Sequence, residues 1–283
     1  MRDAPPPREP LDVLNGDLRS SLSEAFRMLR ADLYRWLGAG GGTAGKALLI
    51  TSPNPGDGKT TCVLALAALL AADNKRVLVV DLDLRKPNHP GRPSGVGGQG
   101  ALPQVLRNEC SWADAARPVN VVNGQYLWLG SGGVAPAELL SSPAMAAFIG
   151  NARSYCDFVL LDVPSFPVVS DALVVAPHVD AVLSIFRVQN SSRKLAVEHM
   201  RGLAGISSVH AIVINGVELD VSPSTEPAAG ERRPQPSPQF QKRLSSLWWV
   251  SVLILAAGGA ALLLFSSPPV AGLAGRLTSE LRR

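Results

Sequence analysis

The sequence predicts an α/β fold: a mostly parallel β-sheet with helices on both faces. Three observations predict it. Short runs of Val, Ile and Leu recur, as in KALLITS, RVLVVDLD, FVLLDVP, DAVLSIFRV and VHAIVING. Helical patterns separate them, as in KTTCVLALAALLAADN and SSRKLAVEHMRGLAG. The strand runs are apolar throughout rather than alternating, which is the pattern of strands buried on both faces.

Residues 1–19 are polar and rich in proline, and read as an arm without packed structure. Residues 20–37 place Leu22, Phe26, Leu29 and Leu33 at helical spacing, with Ser21 or Ser23 as a cap. A glycine-rich joint leads into the first strand. Gly and Pro mark 88–101 as a surface loop, with short helices expected around 102–107 and 111–116. YLWLGSG reads as a strand and PAELLSSPAMAAFIGNARS as one helix. The α/β region ends near 218, and residues 219–245 turn to Pro, Ser, Glu and Gln, the composition of a linker.

Hydrophobic residues make up 46% of the chain and charged residues 18%, apolar enough to prompt a search for a membrane segment. The run 247–265, LWWVSVLILAAGGAALLLF, carries no charge. As a helix it nearly spans the ~30 Å of a bilayer core, and Trp248 and Trp249 suit an interface. A transmembrane helix is therefore expected over 246–266, with a short tail over 267–283. Lys242 and Arg243 on one side and Arg276, Arg282 and Arg283 on the other leave its orientation unset by charge.

Some chemistries are excluded early. Aromatics are 5% of the chain and the basic residues form no cluster beside them, so no nucleic-acid partner is expected. Cys62, Cys110 and Cys156 have no metal-ligand spacing and read as reduced thiols.

The chemistry sits after the first strand, in Ser52-Pro53-Asn54-Pro55-Gly56-Asp57-Gly58-Lys59-Thr60-Thr61. A glycine-rich turn that opens a helix points backbone N–H groups at an anion. This is a P-loop, although Pro53 stands at the first glycine of the usual pattern. Gly56, Asp57, Gly58, Lys59, Thr60 and Thr61 are the expected nucleotide-binding residues. Lys59 reaches the β/γ-phosphates of ATP, and the Thr60 hydroxyl ligates Mg²⁺. RVLVVDLDLR ends a strand with Asp81 and Asp83, and alternation puts both on one face at the ligand-binding edge. Such carboxylates hold Mg²⁺ or polarise an incoming hydroxyl. FVLLD ends another strand with Asp162, in the Walker B arrangement of a metal ligand or water holder.

Taken together, SPNPGDGKTT, VLVVDLDLRKPNHP, PAELLSSPAM, FVLLDVPSFPVVSDALVVAPHVDAVLSIFR and AIVINGV resemble the bacterial tyrosine kinases (BY-kinases) of capsule and exopolysaccharide export. These are relatives of the division-site and partition ATPases, and the resemblance covers roughly residues 20–218. It implies Lys59, Asp81, Asp83 and Asp162 as catalytic positions, with Mg²⁺ near Thr60, Asp81 and Asp162. Glu24, Arg27 and Arg30 match an E-x-x-R-x-x-R pattern that, in that family, joins neighbouring subunits of a ring. Read from spacing alone, Glu24 and Arg27 equally form a surface pair within one helix. The resemblance further implies a homo-oligomer, a polysaccharide-export partner and an inner-membrane location; the P-loop domain is placed in the cytoplasm because ATP is there.

Three features depart from that family's pattern, the first being that the expected membrane helix follows the P-loop domain, where in the family it often precedes it or lies in a partner subunit. DVPSF stands where D-T-P-P is usual, and no tyrosine follows Tyr155 in this sequence. Among Tyr34, Tyr126 and Tyr155, the sequence predicts Tyr34 as the exposed one and the other two as packed against apolar strands. Phosphoryl transfer to tyrosine, a regulatory ATPase of the partition type, and a nucleotide-binding subunit without transfer all remain open at this level.

Overall fold

The computed structural model describes residues 21–37, 44–85, 102–131, 137–188, 190–204, 209–215 and 250–256. The N-terminal helix is α1 (Ser21–Leu37). The core then runs β1 (Lys46–Thr51), α2 (Lys59–Ala72), β2 (Val77–Asp81), α3 (Leu102–Leu106) and α4 (Trp112–Ala115). It continues with β3 (Arg117–Val121), β4 (Gly124–Leu129), α5 (Pro143–Tyr155), β5 (Phe158–Asp162) and α6 (Asp171–Val175). The remaining elements are β6 (Ala181–Arg187), α7 (Arg193–Leu203), β7 (Val209–Asn215) and β8 (Val250–Ala256).

The strands form one sheet in the order β3-β4-β2-β5-β1-β6-β7-β8. The inner pairs are parallel, and the two outermost pairs, β3–β4 and β7–β8, are antiparallel. Each central strand sends alternate residues to opposite faces, as the two-residue period requires. Leu48 and Ile50 of β1 join Leu160, Leu183 and the α1–α2 side of the core. Ala47 and Leu49 join Leu161, Val182 and the α5 side. Nine residues in α2 are buried, from Cys62 to Ala71, because α1 covers the flank that the sheet does not. Phe26, Leu29, Leu33 and Leu37 make that cover.

Several expectations are corrected. PAELLSSPAMAAFIGNARS is not one helix: a 3-10 turn over Ala137–Ser141 precedes α5, and Pro143 starts the α-helix after the extended Ser142. Proline suits a first helical position and not an interior one. Strand β3 was not expected, because its sequence RPVNV is polar and only Val119 is buried. The C-terminal apolar run is described only in part. Of the transmembrane helix expected over 246–266, only Val250–Ala256 is described, and it is a strand running antiparallel to β7, with Val250 opposite Asn215 and Ala256 opposite Val209. A charge-free run of Val, Leu and Ile fits either state by pattern alone, and an open sheet edge offers it backbone partners. Among the described residues, no helix is long and apolar enough to cross a membrane. The rest of 246–266, the arm 1–19, the linker 219–245, the tail 267–283 and the loop 88–101 lie outside the described residues.

Candidate nucleotide-binding site

The loop between β1 and α2 is held open by its glycines. Gly56 and Gly58 have φ of +83° and +100°, a region that side chains disfavour. Gly58 also sits against β7: a Cβ there would lie 2.4 Å from Asn215 Nδ2. That amide donates to the Asp57 carbonyl at 2.9 Å and so ties the loop to the end of β7.

Asp57 is fully buried and turned away from solvent. Its carboxylate accepts from Asn54 N (2.9 Å), Asn190 Nδ2 (2.7 Å) and Ser191 Oγ (3.1 Å). Its side chain therefore shapes the loop, and what it offers a phosphate is its backbone. The segment after β6 completes this scaffold: Asn190 Nδ2 also donates to the Pro55 carbonyl, and Arg187 Nη1 donates to the Gly56 carbonyl at 3.3 Å.

The predicted carboxylates meet at one edge. Asp81 ends β2 directly opposite Asp162, the end of β5. Thr60 Oγ1, in the first turn of α2, donates to Asp162 Oδ2 at 2.6 Å. Burial pushes the Asp162 carboxyl up to about 7, helped by Asp81 and Asp83 and opposed by the Thr60 hydrogen bond and the Lys59 charge. Asp81 accepts from Ser131 Oγ (3.1 Å) and from Asp83 N (3.0 Å).

The chain leaves the sheet at Asp81, so the alternation expected to align Asp83 with it stops there. Asp83 lies on the following turn and accepts from Arg85 N. Arg85 in turn makes a two-pronged contact with the buried Asp171 at the start of α6, with Nη2 2.9 Å from Oδ1. That pair pins the carboxylate turn to the other face of the sheet. Sequence reasoning gave no role to Arg85, Asp171, Ser131, Asn190 or Asn215, although all but Asn190 lie within the stretches read above as strands or motifs.

Lys59 crosses to the loop after β5, where Nζ donates to Ser165 Oγ at 3.1 Å. That loop holds Val163 and Ser165 at the two positions that depart from D-T-P-P, both buried.

The oxygen donors of this edge, a threonine hydroxyl and two carboxylates, suit Mg²⁺, which draws its remaining ligands from phosphates and water. Among the described residues, no group of three His, Cys, Asp or Glu side chains forms a metal cage. The residues present therefore fit a metal shared with a nucleotide rather than one held by protein alone.

Residues 48–231 match the CobQ/CobB/MinD/ParA nucleotide-binding domain. The chain belongs to this nucleotide-binding family. Within it, bacterial tyrosine kinases are among the similar proteins. Tyrosine-protein kinase YwqD of Bacillus subtilis is 32% identical over 178 residues, covering 62% of this chain and 73% of that protein. Succinoglycan biosynthesis transport protein ExoP of Rhizobium meliloti is 30% identical over 211 residues, or 71% of this chain and 26% of that protein. Among solved structures, the kinase domain of Escherichia coli tyrosine kinase ETK superposes with a TM-score of 0.61 at 27% identity, covering 72% of this chain and 78% of that one. The chain spans only about a quarter of the length of ExoP and of tyrosine-protein kinase Wzc of Salmonella typhimurium.

Tyr126 is packed as expected, but the other two tyrosines do not follow expectation. Tyr34 is partly buried: its hydroxyl donates to Asp73 Oδ2 at 3.0 Å and its ring lies 5.9 Å from that of Phe158. Burial and the Asp73 carboxylate both raise its pKa. Tyr155 is 60% exposed, at the end of α5 and edge-on to Trp112, whereas Tyr126 is 1% exposed. Tyr155, the last residue of α5, is thus the accessible tyrosine.

The N-terminal motif is partly engaged within the chain. Arg30 Nη1 pairs with Asp73 Oδ1 at 2.8 Å, across the end of α2. The Glu24 side chain lies outside the described residues.

Proposed function

We propose that this chain is a BY-kinase-like enzyme of exopolysaccharide or capsule production that binds ATP·Mg²⁺ and transfers a phosphoryl group to a protein tyrosine. The observation that carries the reading is the convergence of Lys59, Thr60, Asp81 and Asp162 where one phosphate loop meets two adjacent strand ends. In this reading Gly56, Asp57, Gly58, Thr60 and Thr61 present backbone N–H groups to the phosphates, and Lys59 neutralises their charge. Thr60, Asp81 and Asp162 hold Mg²⁺, which when bound spreads the negative charge of the transferred group. Asp81 or Asp83 orients the acceptor hydroxyl. Names of similar proteins support the kinase class and the polysaccharide context: tyrosine-protein kinase YwqD and succinoglycan biosynthesis transport protein ExoP.

The same proposal includes a homo-oligomer joined through Glu24, Arg27 and Arg30, a polysaccharide-export partner, and attachment to the inner membrane through 247–265. Attachment requires the segment to leave the β7 edge for the bilayer. Its lack of charge over that whole length supports this. Deleting the chain from Leu247 onward tests the attachment. The truncated protein is expected to leave alkaline-washed membranes and still bind ATP; retention in the membranes contradicts it.

A second reading, a partition-type regulatory ATPase, is favoured by Val163 and Ser165 standing in place of the usual D-T-P-P residues. Incubation with γ-labelled ATP separates the readings. Label on protein tyrosine supports the kinase. Free phosphate alone supports the ATPase, and bound but intact ATP supports a subunit without transfer.

A further inference from the structure

We propose that Ser165 is the positioning residue for Lys59, holding its ammonium over the phosphate loop through a directed chain of hydroxyls. The inference rests on the nucleotide-binding reading above.

The direction of each proton follows from which groups can only donate or only accept. An ammonium only donates, so at the 3.1 Å contact Lys59 Nζ gives a proton to Ser165 Oγ. At the other end, Ser52 Oγ lies 2.7 Å from the Asn54 carbonyl, which only accepts, so the single Ser52 proton goes there. Between them, Ser165 Oγ and Ser52 Oγ are 3.2 Å apart. Ser52 has no proton left for that contact, so Ser165 supplies it. The one Ser165 proton is thereby turned away from Lys59 and its lone pairs face the ammonium. The chain runs Lys59 to Ser165 to Ser52 to the Asn54 carbonyl, and it ends on the phosphate loop itself.

The acceptor is fixed independently of Lys59. Ser52 is fully buried and Ser165 nearly so. The loop carrying Ser165 is bonded to the end of β1 by Phe166 N to the Ser52 carbonyl (3.0 Å) and by Thr51 Oγ1 to the Pro164 carbonyl (3.1 Å). A long flexible lysine is thus tied by one proton to a rigid point, and its other two protons remain for phosphate oxygens. Restricting the side chain before the nucleotide arrives lowers the ordering cost of binding. The small Ser165 hydroxyl provides this where proline has no donor or acceptor in its side chain.

The test is a double-variant cycle on the full chain, read as affinity for a fluorescent ATP analogue with Mg²⁺. A charge-assisted hydrogen bond of this kind predicts that Ser165→Ala weakens binding roughly tenfold. Ser165→Thr, which keeps the hydroxyl, is expected to stay within about threefold of wild type by the same reasoning. In a Lys59→Ala background, Ser165→Ala is expected to change nothing further, since its action runs through Lys59. Thermal melts without nucleotide show whether each variant is folded. Wild-type affinity in Ser165→Ala, or an equal loss with and without Lys59, overturns the inference and leaves the nucleotide-binding reading intact. Failure of the wild-type chain itself to bind overturns that reading and this inference with it.

Discussion

Two buried titrating groups pull the stability of the nucleotide-free protein in opposite directions with pH. His199 in α7 is fully buried. Its Nδ1 faces the Phe166 carbonyl at 2.6 Å and so donates, which leaves Nε2 to accept from Ser184 Oγ at 2.8 Å. Burial holds its pKa down to about 4, below the ordinary imidazole value of 6.5. The unfolded chain therefore binds more protons between those values, and the contribution of His199 is complete above 6.5 and lost as pH falls towards 4. Asp162 behaves oppositely. Its folded value of about 7 lies above the ordinary carboxyl value of 3.8, so its contribution is complete below 3.8 and lost as pH rises through 7. Between about pH 8 and about pH 5, His199 removes about 2 kcal/mol and Asp162 adds about 3 kcal/mol. Wild-type stability is then nearly flat over that range, changing by about 1 kcal/mol or less once the two are summed.

The variants separate the two groups. Urea unfolding with chelator present is expected to show Asp162→Asn losing about 2 kcal/mol on acidification and His199→Gln gaining about 3 kcal/mol. If Asp162→Asn has the wild-type slope, its carboxyl is not held protonated by burial. If His199→Gln does, the imidazole is not held neutral by its two partners.

Other expectations follow from single contacts. Gly58→Ala forces a side chain into a left-handed backbone and onto Asn215, so it is expected to cost about 2–3 kcal/mol by urea unfolding; a stability equal to wild type contradicts the loop geometry. Arg85→Ala leaves the buried Asp171 carboxylate without its guanidinium, and because Arg85 is partly exposed the loss is expected near about 1–2 kcal/mol, below that of a fully buried pair. Calorimetric unfolding checks it, and no change in stability would mean that water serves Asp171 as well. Under phosphorylating conditions, mass spectrometry is expected to find any self-modification on Tyr155 and little on Tyr34, whose hydroxyl is committed to Asp73; the reverse distribution would show that α1 does not stay docked.

Much of the parallel sheet was legible because its strands are buried on both faces and so are written as unbroken apolar runs. Strand β3 was not, since an edge strand with one buried residue carries little periodic signal. The pairing of Val250–Ala256 with β7 was not legible for the opposite reason: an apolar run without charge specifies burial but not the element that provides it. In the site, Lys59, Thr60 and Asp162 were readable because loop, helix start and strand end lie in short continuous stretches. The contacts that fix them were not, because Lys59 meets Ser165 and Asp57 meets Asn190 across more than a hundred residues of chain. Local patterns can nominate the chemistry of such a site, while its support is a property of how the strands are ordered. Tyr34 and Tyr155 make the same point. Both sit on helices, yet Tyr34 is committed to Asp73, just past the end of α2, while Tyr155 at the end of α5 stays exposed.

The most direct test of the nucleotide-binding claim is calorimetric titration of the purified chain with ATP, with and without Mg²⁺, alongside Lys59→Ala. Saturable, Mg²⁺-dependent binding at one site per chain is expected for the wild type, with the variant weaker by roughly a hundredfold from loss of a charged phosphate contact. A folded Lys59→Ala chain that binds ATP as the wild type does, or a wild-type chain that takes up none, contradicts the account.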